Sequence, residues 1–141
     1  RITLPSKGEI TFLDDGLKIS YLGHKNAIKN YLSPIQNLEL IFNQSDLALA
    51  TEWLYKFGLK NVQDELTGNL SFGQQKKLAL IRVLAASPQM IVLDEPFVGL
   101  DYATNDLLNM FLSEKLREGV CLIFTSHIKP TFECKTLDIV G

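Results

Sequence analysis

Met-Ile-Val-Leu-Asp-Glu-Pro, at residues 90–96, is the stretch that decides the fold class of this chain. Four consecutive apolar residues are typical of a strand that is covered on both faces, and two carboxylates follow directly. Residues 120–127 repeat this pattern of an apolar run followed by polar residues. Residues 102–117, between the two segments, have a helical pattern that ends before Gly119. Such a unit predicts two parallel strands joined by a right-handed crossover. Both polar tips then lie at the carboxyl edge of the sheet, where open α/β sheets bind ligands.

Composition indicates one compact domain without an obvious charged partner. The chain has 141 residues, 46% hydrophobic and 21% charged, with a net charge of −2. Because no basic stripe is present, we expect no nucleic-acid partner. The most apolar stretch, residues 78–86, is too short to span a bilayer, so membrane association is expected through another subunit. Cys121 and Cys134 lack metal-ligand spacing and are expected to be reduced structural thiols.

Upstream of the central unit, the pattern predicts two short strands and then three helices. The strands are expected at residues 8–12 and 18–22, with Asp-Asp-Gly turn chemistry between them. The first expected helix starts at Ser33 and has apolar residues at helical spacing as far as Phe42. The second runs from about Ser45 to about Phe57, before Gly58, and the third runs from Ser71 to Ser87, before Pro88. The middle of the chain is therefore predicted to be helical.

Asp94 and Glu95 are the first candidates for chemistry. A carboxylate at a strand end can bind Mg²⁺ directly or through water, and its neighbour can orient or deprotonate a water, as phosphoryl transfer requires. The alternative is a solvated strand end or a helix cap, which is the commoner role of an isolated Asp-Glu pair. Taken by itself, the pair leaves both alternatives open.

Ser71-Phe72-Gly73-Gln74 has the S-x-x-Q form of a capping box and is the second candidate. A helix start with a glycine presents free backbone N–H groups and the positive end of the helix dipole, which favour a phosphate. Ser71 could donate its hydroxyl to the same phosphate. The alternative is an ordinary helix cap, so the order and spacing of the whole set of motifs must decide.

Four segments in order resemble the motifs of ABC ATPases. Residues 70–75, 90–96, 99–101 and 125–127 resemble the signature motif, the Walker B strand, the D-loop and the switch histidine. The resemblance runs from about Pro5 to at least His127. It implies an α/β fold of the P-loop NTPase type, with a mostly parallel sheet flanked by helices. It also implies a Q-loop region and helical subdomain at residues 25–87, and a catalytic core formed by residues 1–24 and 88–141.

The resemblance also implies roles for individual residues around ATP and Mg²⁺. Asp94 would hold Mg²⁺, Glu95 would polarise the attacking water, and His127 would contact the γ-phosphate. In that family two nucleotide-binding domains face each other, so hydrolysis depends on dimerisation. Asp101 would lie at the dimer interface. The residues that would reach the nucleotide bound mainly by the opposite subunit are Ser71, Phe72, Gly73 and Gln74.

His24 departs from the superfamily pattern, because most ABC ATPases carry a glutamine in this loop. The dipeptides at residues 23–24, 28–29, 32–33 and 37–38 are Gly-His, Ile-Lys, Leu-Ser and Asn-Leu. They resemble the ATP-binding subunits of haem exporters used in cytochrome c maturation. This implies that His24 senses the nucleotide site, that the domain forms a homodimer, and that the partner is an integral membrane permease. The location would be the cytoplasmic face of the inner membrane, peripheral through that permease.

The phosphate loop is the main departure from the family pattern. No G-x-x-x-x-G-K-[ST] occurs, and no Gly is followed by Lys anywhere in the sequence. Residues 5–10 resemble the segment that follows the phosphate-loop helix, so we expect the domain to be incomplete at its N-terminus, with the loop encoded upstream. The chain alone is then expected to bind ATP poorly and to hydrolyse it negligibly. Its sheet is expected to have an unpaired edge and a partly uncovered apolar face.

Three other functions compete with haem export. An ABC ATPase of DNA repair or chromosome maintenance would need a long coiled coil, for which residues 24–70 leave no room. A non-catalytic ABC-like regulatory subunit would be favoured if Glu95, His127 or the signature were absent. An ABC ATPase of another export system stays open, because substrate contacts belong to the permease. Haem therefore rests on the resemblance alone.

Overall fold

The computed structural model describes residues 7–9, 11 and 16–137, which form a parallel sheet with helices packed against it. Its elements in chain order are β1 (Ile19–Leu22), α1 (Pro34–Glu39), α2 (Gln44–Lys56), α3 (Phe72–Leu84), β2 (Met90–Asp94), α4 (Tyr102–Arg117) and β3 (Cys121–Thr125), with 3₁₀ helices at Lys60–Val62 and Thr67–Asn69. Residues 10 and 12 of the strand expected at residues 8–12, and Asp14 and Asp15 of the turn expected after it, lie outside the described residues, so both stay predictions.

The sheet confirms the predicted strand–helix–strand unit. The described strands are arranged β1-β2-β3 and all pair in parallel. Leu22 lies beside Leu93 and Asp94 lies beside Thr125, so the three strands end at the same edge. Helix α4 has the predicted bounds, and Gly119 follows it with φ of +87°, a conformation that glycine adopts without strain. The sheet therefore brings the polar strand ends together, as the sequence predicted.

Side-chain caps start the helices. Ser33 and Ser71 form complete capping boxes with Gln36 and Gln74. Asn43 caps α2, which starts at Gln44, one residue before the expected start. Two predicted ends were wrong. Helix α1 ends at Glu39, before the apolar residues at 41–42, and α3 ends at Leu84 rather than at Ser87. A residue that precedes a proline is pushed away from the helical region, which makes Ser87 a poor helix residue next to Pro88.

One face of the sheet is buried and the other is open among the described residues. Leu22, Ile91 and Leu93 are at most 2% exposed, in one core with α2, α3 and α4. Tyr21 and Ile123 on the other face are 49% and 54% exposed. The expectation of strands covered on both faces is therefore wrong for β3, where Ile123 is exposed, whereas Met90 and Val92 of β2 are half-buried. The expected uncovered apolar face is present.

The helices of the middle segment and α4 share one hydrophobic core. Trp53 of α2 contacts Phe111 of α4 edge to face, with ring centroids 5.6 Å apart. Helix α2 of the middle segment thus packs against α4, and the separation of residues 25–87 as a helical subdomain stays a prediction. Cys121 and Cys134 are free, as expected, but both are exposed. Within the described ranges, no helix is long and apolar enough to cross a membrane.

Candidate functional site

The hydroxyl of Thr125, at the end of β3, connects the carboxylate of Asp94 with the backbone of Glu95, at the end of β2. Its Oγ1 donates to Asp94 Oδ1 at 2.6 Å and accepts from the backbone N–H of Glu95 at 3.1 Å. The same N–H also donates to the carbonyl of Thr125, at 3.1 Å. The parallel register sets Asp94 against Thr125, so these contacts follow directly from the strand pairing. Thr125 was not among the predicted site residues, although it precedes the predicted histidine by only two positions.

Glu95 has an unusual backbone conformation that turns the chain at the end of β2. Its φ is +46°, in the left-handed region, where a residue with a Cβ is strained by about 1–2 kcal/mol. Its Oε2 accepts from the backbone N–H of His127 at 3.2 Å, and its Oε1 lies 3.4 Å from His127 Nε2. The Glu95 side chain is 22% exposed, whereas that of His127 is 94% exposed. The carboxylate of Glu95 therefore contacts both the backbone N–H and the ring of His127, while most of the histidine side chain faces solvent.

Lys76 is a buried lysine whose charge interacts with both carboxylates of this cluster. It lies on α3 and is only 4% exposed. Burial lowers the pKa of its ammonium group, while the nearby charges of Asp94 and Glu95 raise the pKa in part. The two carboxylates thus have a positive charge close to them within the same chain. Helical periodicity could not have revealed this, because a lysine next to Lys77 at a helix start is normally solvated.

The signature segment forms the start of α3. Ser71 Oγ accepts from Gln74 N at 3.3 Å, and Gln74 Oε1 accepts from Ser71 N at 2.8 Å. The ordinary capping role of this segment is therefore present. It leaves the hydroxyl hydrogen of Ser71 free to donate to an incoming acceptor, since Ser71 Oγ acts only as an acceptor within the box. Ser71 and Phe72 are exposed, so the helix start is open to solvent.

The D-loop packs directly on the signature segment. A Cβ added at Gly73 would lie 2.7 Å from the carbonyl oxygen of Gly99, and one added at Gly99 would lie 2.7 Å from a ring carbon of Phe72. Asp101 caps α4 by accepting from Thr104 N at 2.9 Å. Its other carboxylate oxygen pairs with Lys77 of α3. The signature and the D-loop therefore form a second cluster.

The predicted site residues other than His24 thus fall into two groups. Asp94, Glu95 and His127 lie together at the sheet edge, and the signature residues lie with Asp101. His24 follows β1 at the same edge of the sheet and is exposed. Among the described residues it makes no hydrogen bond to either carboxylate. Its predicted part in sensing the nucleotide stays a prediction.

The sheet-edge cluster is compatible with Mg²⁺. Asp94 offers a carboxylate and Thr125 a hydroxyl, which are the hard oxygen ligands that Mg²⁺ prefers. In the described part of the chain, no three His, Cys, Asp or Glu side chains form a metal-binding group. Mg²⁺ is usually held by one or two carboxylates together with substrate phosphates and water, so a single protein carboxylate is sufficient.

Solved structures identify the class of the fold. A dimeric ATP-binding cassette in a post-hydrolysis state, bound to ADP and phosphate, matches 82% of this chain with a TM-score of 0.66 and 23% identity, over 58% of its own length. The ATP-binding subunit of an ABC transporter matches 79% with a TM-score of 0.71 and 20% identity, over 49% of its length. The chain therefore has the α/β fold of an ABC ATPase, as part of a domain.

Sequence comparison identifies the family. The profile of the ABC transporter family matches residues 3–98, and the chain belongs to this family. Relatives include the cytochrome c biogenesis ATP-binding export protein CcmA of Idiomarina loihiensis, which is 37% identical over 87% of this chain and 62% of its own length. CcmA of Escherichia coli K12 is 32% identical over 76% of this chain and 52% of its own length. The chain thus spans only part of the relatives that it matches.

Proposed function

We propose that this chain is the larger part of an ATP-hydrolysing subunit that powers a separate membrane permease. The observation that carries the proposal is the cluster of Asp94, Glu95, Thr125 and His127 at the carboxyl edge of a parallel sheet. Phosphoryl transfer depends on positioning and on charge neutralisation, and this cluster offers a metal-binding carboxylate beside a second carboxylate with a fixed backbone. Family membership supports the same reaction.

Each residue of the cluster has a distinct part in the proposed reaction. Asp94 would hold Mg²⁺, which would supply positive charge to neutralise the phosphates. Glu95 orients and polarises the attacking water, and its strained turn places its carboxylate beside the backbone of His127. The ring of His127, which is 94% exposed with Nε2 3.4 Å from Glu95 Oε1, contacts the γ-phosphate in this proposal. Thr125 is a positioning residue, because its hydroxyl holds Asp94 and the backbone of Glu95 in a fixed relation.

The nucleotide is proposed to lie between two copies of the domain. Ser71, Gly73 and Gln74 form an exposed or half-exposed helix start with its own hydrogen-bond donors, which favours a phosphate. The dimeric cassette with ADP and phosphate is a structural precedent for such an arrangement.

Haem export for cytochrome c biogenesis is the proposed transport function. It is supported by the names of the relatives at 32–37% identity, which are cytochrome c biogenesis ATP-binding export proteins. The subunit would then be peripheral at the cytoplasmic face of the inner membrane, attached through the permease. Loss of the protein is expected to abolish covalent haem attachment to c-type cytochromes. Normal attachment would overturn the haem assignment in favour of another export system and would leave the ATPase proposal standing.

The ATPase proposal is tested by Glu95→Gln in a form of the domain that includes a phosphate loop. We expect Mg-ATP to bind normally and turnover to fall at least about a hundredfold, because the amide cannot polarise the water. Glu114→Gln, an exposed position on α4, is the matched control and should turn over normally. Unchanged turnover in Glu95→Gln would show that the catalytic carboxylate lies elsewhere.

A calorimetric titration tests the proposed need for an upstream phosphate loop. The chain of 141 residues is expected to bind Mg-ATP weakly, because its sequence has no G-x-x-x-x-G-K-[ST] motif to supply an amide cradle and a lysine. An extended form with that segment should bind Mg-ATP in a metal-dependent manner. Tight binding by the chain alone would mean that the nucleotide site has been misplaced.

A further inference from the structure

Lys77 lies at a junction of three helices. It is on α3, one turn after the signature segment, and its side chain is only 14% exposed. Its Nζ donates to the carbonyl of Phe57 at 3.2 Å, at the C-terminal end of α2. That end carries unsatisfied carbonyl groups and a partial negative charge, which favour a cation. The same Nζ pairs with Asp101 Oδ2, at the start of α4.

Asp101 uses its two carboxylate oxygens for different purposes. Oδ1 accepts from the backbone N–H and the hydroxyl of Thr104, at 2.9 and 2.8 Å, which caps α4. Oδ2 is left for Lys77. An asparagine could keep the capping oxygen but could not keep the ion pair. The cap and the pair can therefore be separated by substitution.

The backbones of the two segments interlock next to this ion pair. The carbonyl of Gly99 occupies the space that a side chain at Gly73 would need, and the ring of Phe72 occupies the space beside Gly99. Gly99 has φ of +81°, which fits glycine. Residues 71–74 and 99–101 are thus joined by direct packing at one end and by an ion pair at the other. Any motion that separates them must break both contacts.

We propose that Lys77 is a positioning residue that holds the signature segment and the D-loop as one preformed surface toward the opposite subunit. This inference rests on the proposed function, in which both segments face the nucleotide of that subunit. Without the ammonium group, Asp101 is tied only to its own helix, and the two segments shift relative to each other. Nucleotide binding within one subunit is unaffected, whereas turnover requires both segments to be in place together.

The test uses Lys77→Met and Asp101→Asn, singly and together, in the domain that includes the phosphate loop. Each single variant should lower kcat roughly tenfold with the KM for ATP changed less than about twofold, and the double variant should be no worse than either single one. Lys77→Arg keeps the charge and should retain most of the turnover. Lys56→Met, which removes a lysine from the exposed pair with Glu52, is the control and should behave like the unsubstituted protein.

Hydrogen exchange at residues 99–105 gives a readout that does not depend on ATP turnover. Exchange there should be faster in Lys77→Met and in Asp101→Asn, and unchanged in Lys77→Arg and Lys56→Met. Normal kcat in Lys77→Met, or losses that add in the double variant, would overturn the inference. If the unsubstituted domain shows no turnover that depends on Glu95, the proposed function fails instead. The exchange rates then decide separately whether Lys77 holds the two segments together.

Discussion

At the scale of single residues, Glu95 combines strain and proposed function. Asp94 is the last residue of a regular strand, in which successive side chains point to opposite faces. The left-handed turn at Glu95 breaks that alternation, so that its carboxylate reaches the backbone of His127. A backbone conformation that costs free energy and also places a proposed catalytic group indicates that the two are connected.

The strain at Glu95 gives a prediction about stability. Glu95→Gly should be more stable than Glu95→Ala by about 1 kcal/mol, because both remove the carboxylate but only glycine adopts a positive φ without strain. The same two substitutions at Glu114, within α4, should have the opposite order, since glycine is the poorer helix former. Urea unfolding of the four variants measures both differences. If Glu95→Ala were as stable as Glu95→Gly or more stable, Glu95 would not be strained.

Asp101 gives a prediction about pH. The hydrogen bonds from Lys77 and then from Thr104 lower the pKa of its carboxyl to about 2, from 3.8. Because the folded pKa is below the unfolded one, this carboxylate stabilises the fold above about pH 4 and loses that effect as the pH falls through about 2. Relative to Asp101→Asn, the protein should therefore lose its stability advantage between about pH 4 and pH 2. A constant difference across this range, in urea unfolding, would contradict the assignment.

At the scale of elements, the starts of α2 and α3 have similar caps but different proposed roles. Asn43→Ala and Ser71→Ala each remove a capping side chain and should each destabilise the fold by about 1 kcal/mol. Only Ser71→Ala should also lower ATP turnover, since only α3 is proposed to face a nucleotide. Thermal unfolding and turnover of both variants test this. An equal loss of turnover in both would mean that Ser71 acts only as a cap.

The elements were largely predictable from the sequence because their signals are local. The caps at Ser33 and Ser71 and the pattern of residues 102–117 depend on neighbours within a few positions. The contacts of the site were less predictable. Lys77 and Asp101 are 24 positions apart, and the burial of Lys76 depends on the packing of α3 against the sheet. Periodicity describes faces of single elements and cannot identify pairs between them.

At the scale of the whole molecule, the open sheet face has a measurable effect. Ile19, Tyr21 and Ile123 place exposed apolar surface on one side of the sheet, which favours association between copies of the chain. Ile123→Lys should lower self-association in light scattering at high protein concentration. Met110→Lys, at a 69% exposed position on α4, is the control and should have no effect. If both lysines act equally, net charge rather than this face controls association.

At Glu95, the position of the side chain and its chemical reactivity depend on different features. The carboxylate is placed by the backbone conformation and by an N–H from His127, and a glutamine oxygen would accept that same bond. The codons of glutamate and glutamine differ by one nucleotide. One point mutation would thus leave every cap and strand intact while ending the proposed reaction. The product would be a protein that still binds the nucleotide and no longer hydrolyses it. Inheritance of the fold alone therefore does not guarantee inheritance of the activity.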